Sequence, residues 1–119
     1  MKYQEPPIFD KYESLRLLNS NNESDIIDGL LSVVLNSGAY KLSMEKSLKM
    51  ASHPSEQVQA CAIECLGHIA RLHQKIDIDT AREILAAGLK SENQTIVGKA
   101  ESAIDDVSFF LSLDRALFT

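Results

Sequence analysis

Three side chains that could bind a metal ion lie in the middle of the chain. Cys61, Cys65 and His68 stand at positions i, i+4 and i+7, which places them along one edge of an α-helix. Thiolates and imidazole are preferred zinc ligands, and a fourth could come from His73 or His53. The alternative is that Cys65 is a small core residue and Cys61 marks the margin of the core. We favour this alternative, because the chain has neither a CxxC nor an HExxH motif, and we expect no metal or other cofactor.

Glu64, His68 and Arg71 resemble parts of an acid–base set on the same stretch. No nucleophile stands beside them, and the outside of a helix is a poor place to exclude water from a reaction. Their i,i+3 and i,i+4 spacings are typical of charge pairs on a solvated face. We therefore expect a protein that is not an enzyme. The enzyme alternative is a metal-assisted hydrolase that uses Cys61, Cys65 and His68.

An acidic cluster follows near the end of the chain, at Glu101, Asp105 and Asp106. Adjacent Asp side chains on a helix point about 100° apart, which argues against a shared metal ion. The cluster is either solvated or an acidic contact for a basic partner. Phe109 lies on an otherwise polar sector that includes Ser102. Its ring is either a binding anchor or, as we favour, covered by apolar residues of the C-terminal tail.

Size and charge limit the classes of function. The chain has 119 residues, 45% of them hydrophobic, and a net charge of −5. This length predicts one domain, spanning 1–119. Scattered basic residues and an acidic balance argue against nucleic acid as a partner. No apolar run approaches a membrane span and the first residues do not resemble a signal peptide, so we expect a cytoplasmic protein with reduced cysteines.

Helical periodicity predicts the elements that position these residues. Polar turns separate six segments, and none favours a strand: 8–18, 24–36, 40–51, 54–75, 80–89 and 94–113. Ser24 is the expected cap of the second helix, and Asp79 or Thr80 that of the fifth. The second helix is expected to bury Ile27, Leu30, Leu31, Val34 and Leu35. The fourth is expected to bury one stripe and to turn a second set of residues the opposite way. The stripe comprises Val58, Cys61, Ala62, Cys65, Leu66, Ile69 and Leu72, and the second set comprises Gln57, Ala60, Glu64, Gly67 and Arg71.

The stripe of the fourth helix recurs along the chain. If the chain is aligned with itself so that Val58 lies under Ile96, then Ala62 lies under Ala100 and Leu66 lies under Ile104. In the other direction, the same three residues match Ile27, Leu31 and Leu35. A period of about 40 residues, built from helix–turn–helix units, is typical of an α-solenoid. The predicted fold is all-α, a short solenoid of about three helical hairpins.

The segments LKMASHPSEQVQACAIECLGHIA and LAAGLKSENQTIVGKAESAIDDV resemble the HEAT-repeat family. In that family an apolar helix, a short polar turn and a second helix with Val, Ala and Leu at these steps form each unit. The first unit, residues 8–37, departs from the pattern because its turn is longer. The resemblance covers the greater part of the chain and concerns the fold, which does not determine function.

The segments LGHIARLH and AIDDVSFFL, in a small acidic chain, resemble HEAT-like immunity proteins of bacterial toxin–immunity loci. This resemblance implies a protein that binds a cognate toxin, often a nuclease, and blocks its active site. In the alignment that matches Val58 with Ile96, the polar residues of the two long helices fall beside one another. They form one candidate surface for a basic toxin domain: Glu64, His68, Arg71, Ser102, Asp105, Asp106 and Phe109. The alternative is a small cytosolic scaffold or adaptor for an endogenous protein, and the oligomeric state stays open.

Overall fold

The structure is a computed structural model that describes residues 9–119. The extended lead-in predicted for residues 1–7, and Ile8, lie outside this range. All regular structure from Phe9 onward is helical. The helices are α1 (Lys11–Leu18), α2 (Glu23–Asn36), α3 (Tyr40–Met50), α4 (Glu56–His73), α5 (Ile78–Leu89), α6 (Gln94–Leu111) and a short 3₁₀ helix (Arg115–Phe118).

Side-chain caps decide where most of these helices begin. Each cap accepts a hydrogen bond from an amide of the first turn, which would otherwise lack a partner. The caps of α1, α2, α4, α5 and α6 are Asp10, Asn22, Ser55, Asp77 and Asn93. Two predicted caps were wrong. The cap of α2 is Asn22 and not Ser24. The cap of α5 is Asp77 and not Asp79 or Thr80, because the carboxylate of Asp77 accepts hydrogen bonds from both the amide and the hydroxyl of Thr80.

The two longest helices end in the same way. Gln74 follows α4 and Ser112 follows α6, both with φ at 55°. This left-handed conformation stops the helix and turns the chain so that the last carbonyls are satisfied. The amides of Ser112 and Leu113 both donate to the carbonyl of Ser108. The helix therefore ends at Leu111, before the predicted end at Leu113.

Helix α4 lies at the centre of the described chain. Consecutive helices contact each other as α1 with α2, α3 with α4 and α5 with α6, and α4 also contacts α2, α5 and most extensively α6. Val58, Ala62, Leu66 and Ile69 are completely buried, as predicted, but Leu72 at the end of the predicted stripe is exposed. Their counterparts on α6, Ile96, Ala100, Ile104 and Val107, are buried too, so the predicted match between these two helices holds in the core.

The predicted register of α2 was wrong by one position. Leu30 and Val34 are buried, as predicted, and Ile26 and Val33 are buried with them. Of the other predicted residues, Ile27 and Leu31 are half-buried and Leu35 is exposed. In the alignment of α2 with α4, the buried residues Ile26, Leu30, Val33 and Val34 therefore match Val58, Ala62, Cys65 and Leu66. The predicted alignment placed each matching α2 residue one position later in the chain. The cause is that α2 packs against α1, α3 and α4 at once, and the three contacts together bury a face that periodicity alone does not identify.

The side of α4 opposite its stripe is only partly exposed. Gln57 and Arg71 face solvent, but Ala60 and Gly67 are buried. Gly67 lies against Ala103 and Asp106 of α6, because a residue without a β-carbon lets two helix backbones approach closely. Helix α6 therefore covers part of the set that was predicted to lie opposite the stripe.

Candidate protein-binding surface

Three of the predicted surface residues form a hydrogen-bonded row along α4. Nε2 of His68 lies 3.3 Å from Oε1 of Glu64, and Nδ1 of His68 lies 3.3 Å from a guanidinium nitrogen of Arg71. These are the i,i+4 and i,i+3 pairs that the spacing predicts. The row holds His68 between a carboxylate and a guanidinium, so both ring nitrogens are engaged and the imidazole cannot turn freely.

Lys99 of α6 joins this row from the neighbouring helix. Its ammonium forms an ion pair with the second oxygen of Glu64. Burial raises the pKa of Glu64, but Lys99 and then His68 outweigh that effect and hold the pKa of this carboxyl below its ordinary value of 4.5. Glu64 is therefore an ionised, already paired carboxylate, and only part of its charge is available to another protein.

The sequence prediction did not include Lys99, although the repeat contains a signal for it. When Val58 is matched with Ile96, Lys99 takes the place of Cys61, at the margin of the α4 stripe. The core of α6 therefore has a long basic side chain at its edge, where α4 has a thiol. Lys99 at the edge of α6 and the carboxylate of Glu64 at the edge of α4 are therefore placed to meet.

On α6, the predicted carboxylates have different environments. Asp105 is exposed and forms an ion pair with Arg115 of the 3₁₀ helix. Asp106 is half-buried against Gly67 and forms no ion pair with any residue of the range 9–119. Ser102 is exposed on the same helix. Asp106 therefore has the less compensated negative charge of the two.

Phe109 is 75% exposed, so the expectation that the C-terminal tail covers it was wrong. The tail packs against α5 and α6 instead, where Phe118 is completely buried. Phe109 makes an edge-to-face contact with Phe110, with ring centroids 4.9 Å apart. The other interpretation, that Phe109 is a binding anchor for a partner, therefore stays a prediction.

The cysteine and histidine side chains do not converge as a zinc site requires. Cys65 is completely buried. Its interaction with the thiol of Cys61 lowers the pKa of Cys61, and the same interaction together with burial raises the pKa of Cys65. His68 points to Glu64 and Arg71 instead. Across residues 9–119 no three His, Cys, Asp or Glu side chains are placed to hold a metal ion. Cys65 is the core residue that the repeat predicts.

Within the part of the chain that the structure describes, no helix is both long and apolar enough to cross a bilayer. Neither a protein-family model nor a curated protein matches this chain. Among solved structures, the chain is similar to one in the crystal structure of the CDI complex from Cupriavidus taiwanensis LMG 19424. The two are 28% identical, the match covers 92% of this chain and 97% of that chain, and the TM-score is 0.73.

Proposed function

We propose that this chain is the immunity protein of a contact-dependent inhibition (CDI) system, which binds and neutralises a bacterial toxin. The observation that carries the proposal is its similarity, over nearly the full length of both chains, to a component of a CDI complex. The segments LGHIARLH and AIDDVSFFL, which resemble immunity proteins of toxin loci, support the same assignment. Inhibition by stoichiometric binding needs no catalytic group in this chain, and the site of action is the cytoplasm.

The helix pairs α1–α2, α3–α4 and α5–α6 suit a short HEAT-like solenoid of three hairpins, forming one domain over residues 1–119. The repeat of buried positions supports this architecture, because equivalent positions of α2, α4 and α6 enter the core together. In a solenoid the second helix of each hairpin lines one continuous face. The polar residues of α4 and α6 then belong to one extended surface that can cover a partner's active site.

The proposed binding surface consists of Glu64, His68, Arg71, Ser102, Asp105, Asp106 and Phe109. Asp105 and Asp106 would meet the Lys and Arg residues that a nuclease toxin uses to hold its own substrate. His68 and Arg71, held in a row with Glu64, supply directional hydrogen bonds, as does Ser102. The exposed ring of Phe109 supplies the apolar anchor. Inhibition would be both steric and electrostatic, with a basic toxin domain as the partner.

The test is co-production of this chain with the toxin domain encoded beside its gene. The expected result is that cells survive toxin production only when this chain is present, and that calorimetry of the purified proteins gives a one-to-one complex. The Ala62→Asp variant is the control: it buries an unpaired charge at a completely buried site and should lose the fold and the protection together. Survival without this chain, or no complex, would favour the adaptor alternative.

A further inference from the structure

A cleft opens where α2, α4 and α6 meet. Its volume is about 260 Å³. Its walls are the side chains of Ile27 and Leu31 on one side and of Thr95 and Lys99 on the other, with Ala60 and Cys61 between them. Drug-sized ligands occupy pockets of about 300–1,000 Å³, so this cleft suits something smaller, such as one large apolar side chain.

The position of the cleft follows from the register of α2. Because α2 buries Ile26, Leu30 and Val33, its neighbours Ile27 and Leu31 stay half-exposed and turn towards α4. Both side chains pack partly against the core, and the part of each that stays exposed gives the cleft an apolar wall that a partner's apolar side chain would remove from water. The cleft also continues into the proposed binding surface, because Glu64 belongs to both.

The uncompensated charge beside the cleft is negative. Lys99 and Glu64 neutralise each other in their ion pair. Asp28, one turn of α2 from Leu31, is exposed and makes no ion pair with any residue from Phe9 onward. Asp28 directly follows Ile27, which lines the cleft with Leu31, so its carboxylate stands beside the aliphatic wall on α2. An uncompensated carboxylate beside an apolar cleft selects for an apolar group next to a cation.

We propose that the cleft between α2, α4 and α6 receives one large apolar side chain of the toxin domain, and that an adjacent Lys or Arg of the toxin binds Asp28. This proposal rests on the function proposed above and extends the contact from α4 and α6 to α2. The segment of the toxin that enters is therefore an apolar residue flanked by a basic one. Gln57, an exposed amide at the rim, is placed to bond the backbone beside it.

Cys61 reports directly on whether the cleft is occupied. It is half-exposed in the cleft, whereas Cys65 is completely buried, so N-ethylmaleimide should label the folded protein once, at Cys61, and Cys61→Ser should abolish the labelling. The labelling rate is measured by mass spectrometry for the free chain and for its complex with the toxin domain encoded beside its gene. The expected result is at least about a tenfold slower reaction in the complex, because a fully desolvated interface core excludes the reagent.

Charge reversal supplies an independent readout. Asp28→Lys should weaken toxin binding by about tenfold or more at low salt, because it places two cations together at the interface. Glu83→Lys makes the same change at an exposed position of α5 and should leave the affinity unchanged. A complex that forms while Cys61 keeps its free labelling rate and Asp28→Lys binds normally would overturn the cleft proposal but preserve the immunity function. Failure to form any complex would overturn both.

Discussion

Gly67 of α4 and Asp106 of α6 are in direct contact. A β-carbon added at position 67 would stand 3.0 Å from Oδ2 of Asp106 and 3.2 Å from the backbone Cα of Ala103. The first neighbour is a side chain, but the second is backbone and cannot yield without moving α6. This close approach of the two longest helices therefore depends on a glycine, and the carboxylate of Asp106 lies at the seam between them.

The contact of Gly67 with α6 predicts that replacing two helical glycines by alanine changes the free energy of unfolding in opposite directions. Gly67→Ala should lower the free energy of unfolding by about 1–3 kcal/mol, because overpacking separates α4 from α6. Gly98→Ala on α6 is the control, because a β-carbon there meets nothing within 4 Å. It should raise stability by about 0.5–1 kcal/mol, since alanine is the better helix former. Urea unfolding followed by circular dichroism measures both, and equal effects at the two sites would contradict the close approach.

The ion pair between Lys99 and Glu64 predicts a pH-dependent contribution to stability. Burial raises the pKa of Glu64, but Lys99 and His68 bring it below 4.5 in the folded state. The stabilisation is therefore present above pH 4.5 and is lost as the pH falls through the lowered pKa. Lys99→Met should cost about 0.2–1 kcal/mol at pH 7, a range that allows for solvent screening, and the deficit should shrink in acid.

Lys41→Met is the matched control for that variant, because Lys41 is exposed on α3 and has no ion-pair partner within the described residues. Its stability should follow that of the unmodified chain at every pH. Urea unfolding at several pH values between 3 and 7 provides the comparison. A deficit for Lys99→Met that stays constant down to pH 3 would show that Glu64 is not its source.

Phe109 predicts a loss of binding without a loss of stability. The ring is 75% exposed, so Phe109→Ala should change the free energy of unfolding by less than about 0.5 kcal/mol. If the ring anchors the toxin, the same change should weaken binding by about 2 kcal/mol or more. Tyr12→Ala removes a ring that is 89% exposed on α1 and should affect neither quantity. Calorimetric titration with the toxin domain tests this, and normal affinity in Phe109→Ala would remove the ring from the interface.

The acidic pair on α6 predicts an electrostatic component of binding. Reversing both Asp105 and Asp106 to Lys should leave the helical content intact and weaken toxin binding by about tenfold or more, most strongly at low salt. The intramolecular pair of Asp105 with Arg115 is on the surface, so its loss should cost little stability. Reversal of Asp79 and Glu83, both exposed on α5, is the control of equal charge. Equal affinities for the two double variants would place the acidic pair outside the interface.

Local chemistry was enough to predict the helices. Most helices are bounded by polar or left-handed residues, and each side-chain cap acts on an amide of the turn that follows it directly. Helix α3 is the exception, because it begins after Ala39 without a side-chain cap and ends before Ala51. Most of the stripe of α4 was predictable for the same reason, since its apolar positions from Val58 to Ile69 repeat every three or four residues and enter one core, whereas Leu72 at its end stays exposed. Where two caps compete locally, as Asp77 and Asp79 do, the sequence does not decide between them.

The surface could be predicted in part. The row of Glu64, His68 and Arg71 follows from spacing on one helix. The partner of Glu64 does not, because Lys99 belongs to another helix and meets it only when α6 packs on α4. Whether Phe109 is exposed likewise depends on where the C-terminal tail packs. The tail packs against α5 and α6, where it buries Phe118 and leaves Phe109 exposed.

By itself, the sequence determined an all-helical chain, the approximate helix boundaries and the repeat of its buried positions, because these depend on interactions between residues a few positions apart. Only the tertiary structure decided which residues outside its apolar stripe each helix also buries. Helix α4 has neighbours on several sides. Small residues such as Ala60 and Gly67 enter the core where a neighbour approaches, although they share a sector of the helix with the polar residues Gln57, Glu64 and Arg71. The same packing left Ile27 and Leu31 half-buried beside α4 and so created the cleft, which exists only where three helices meet.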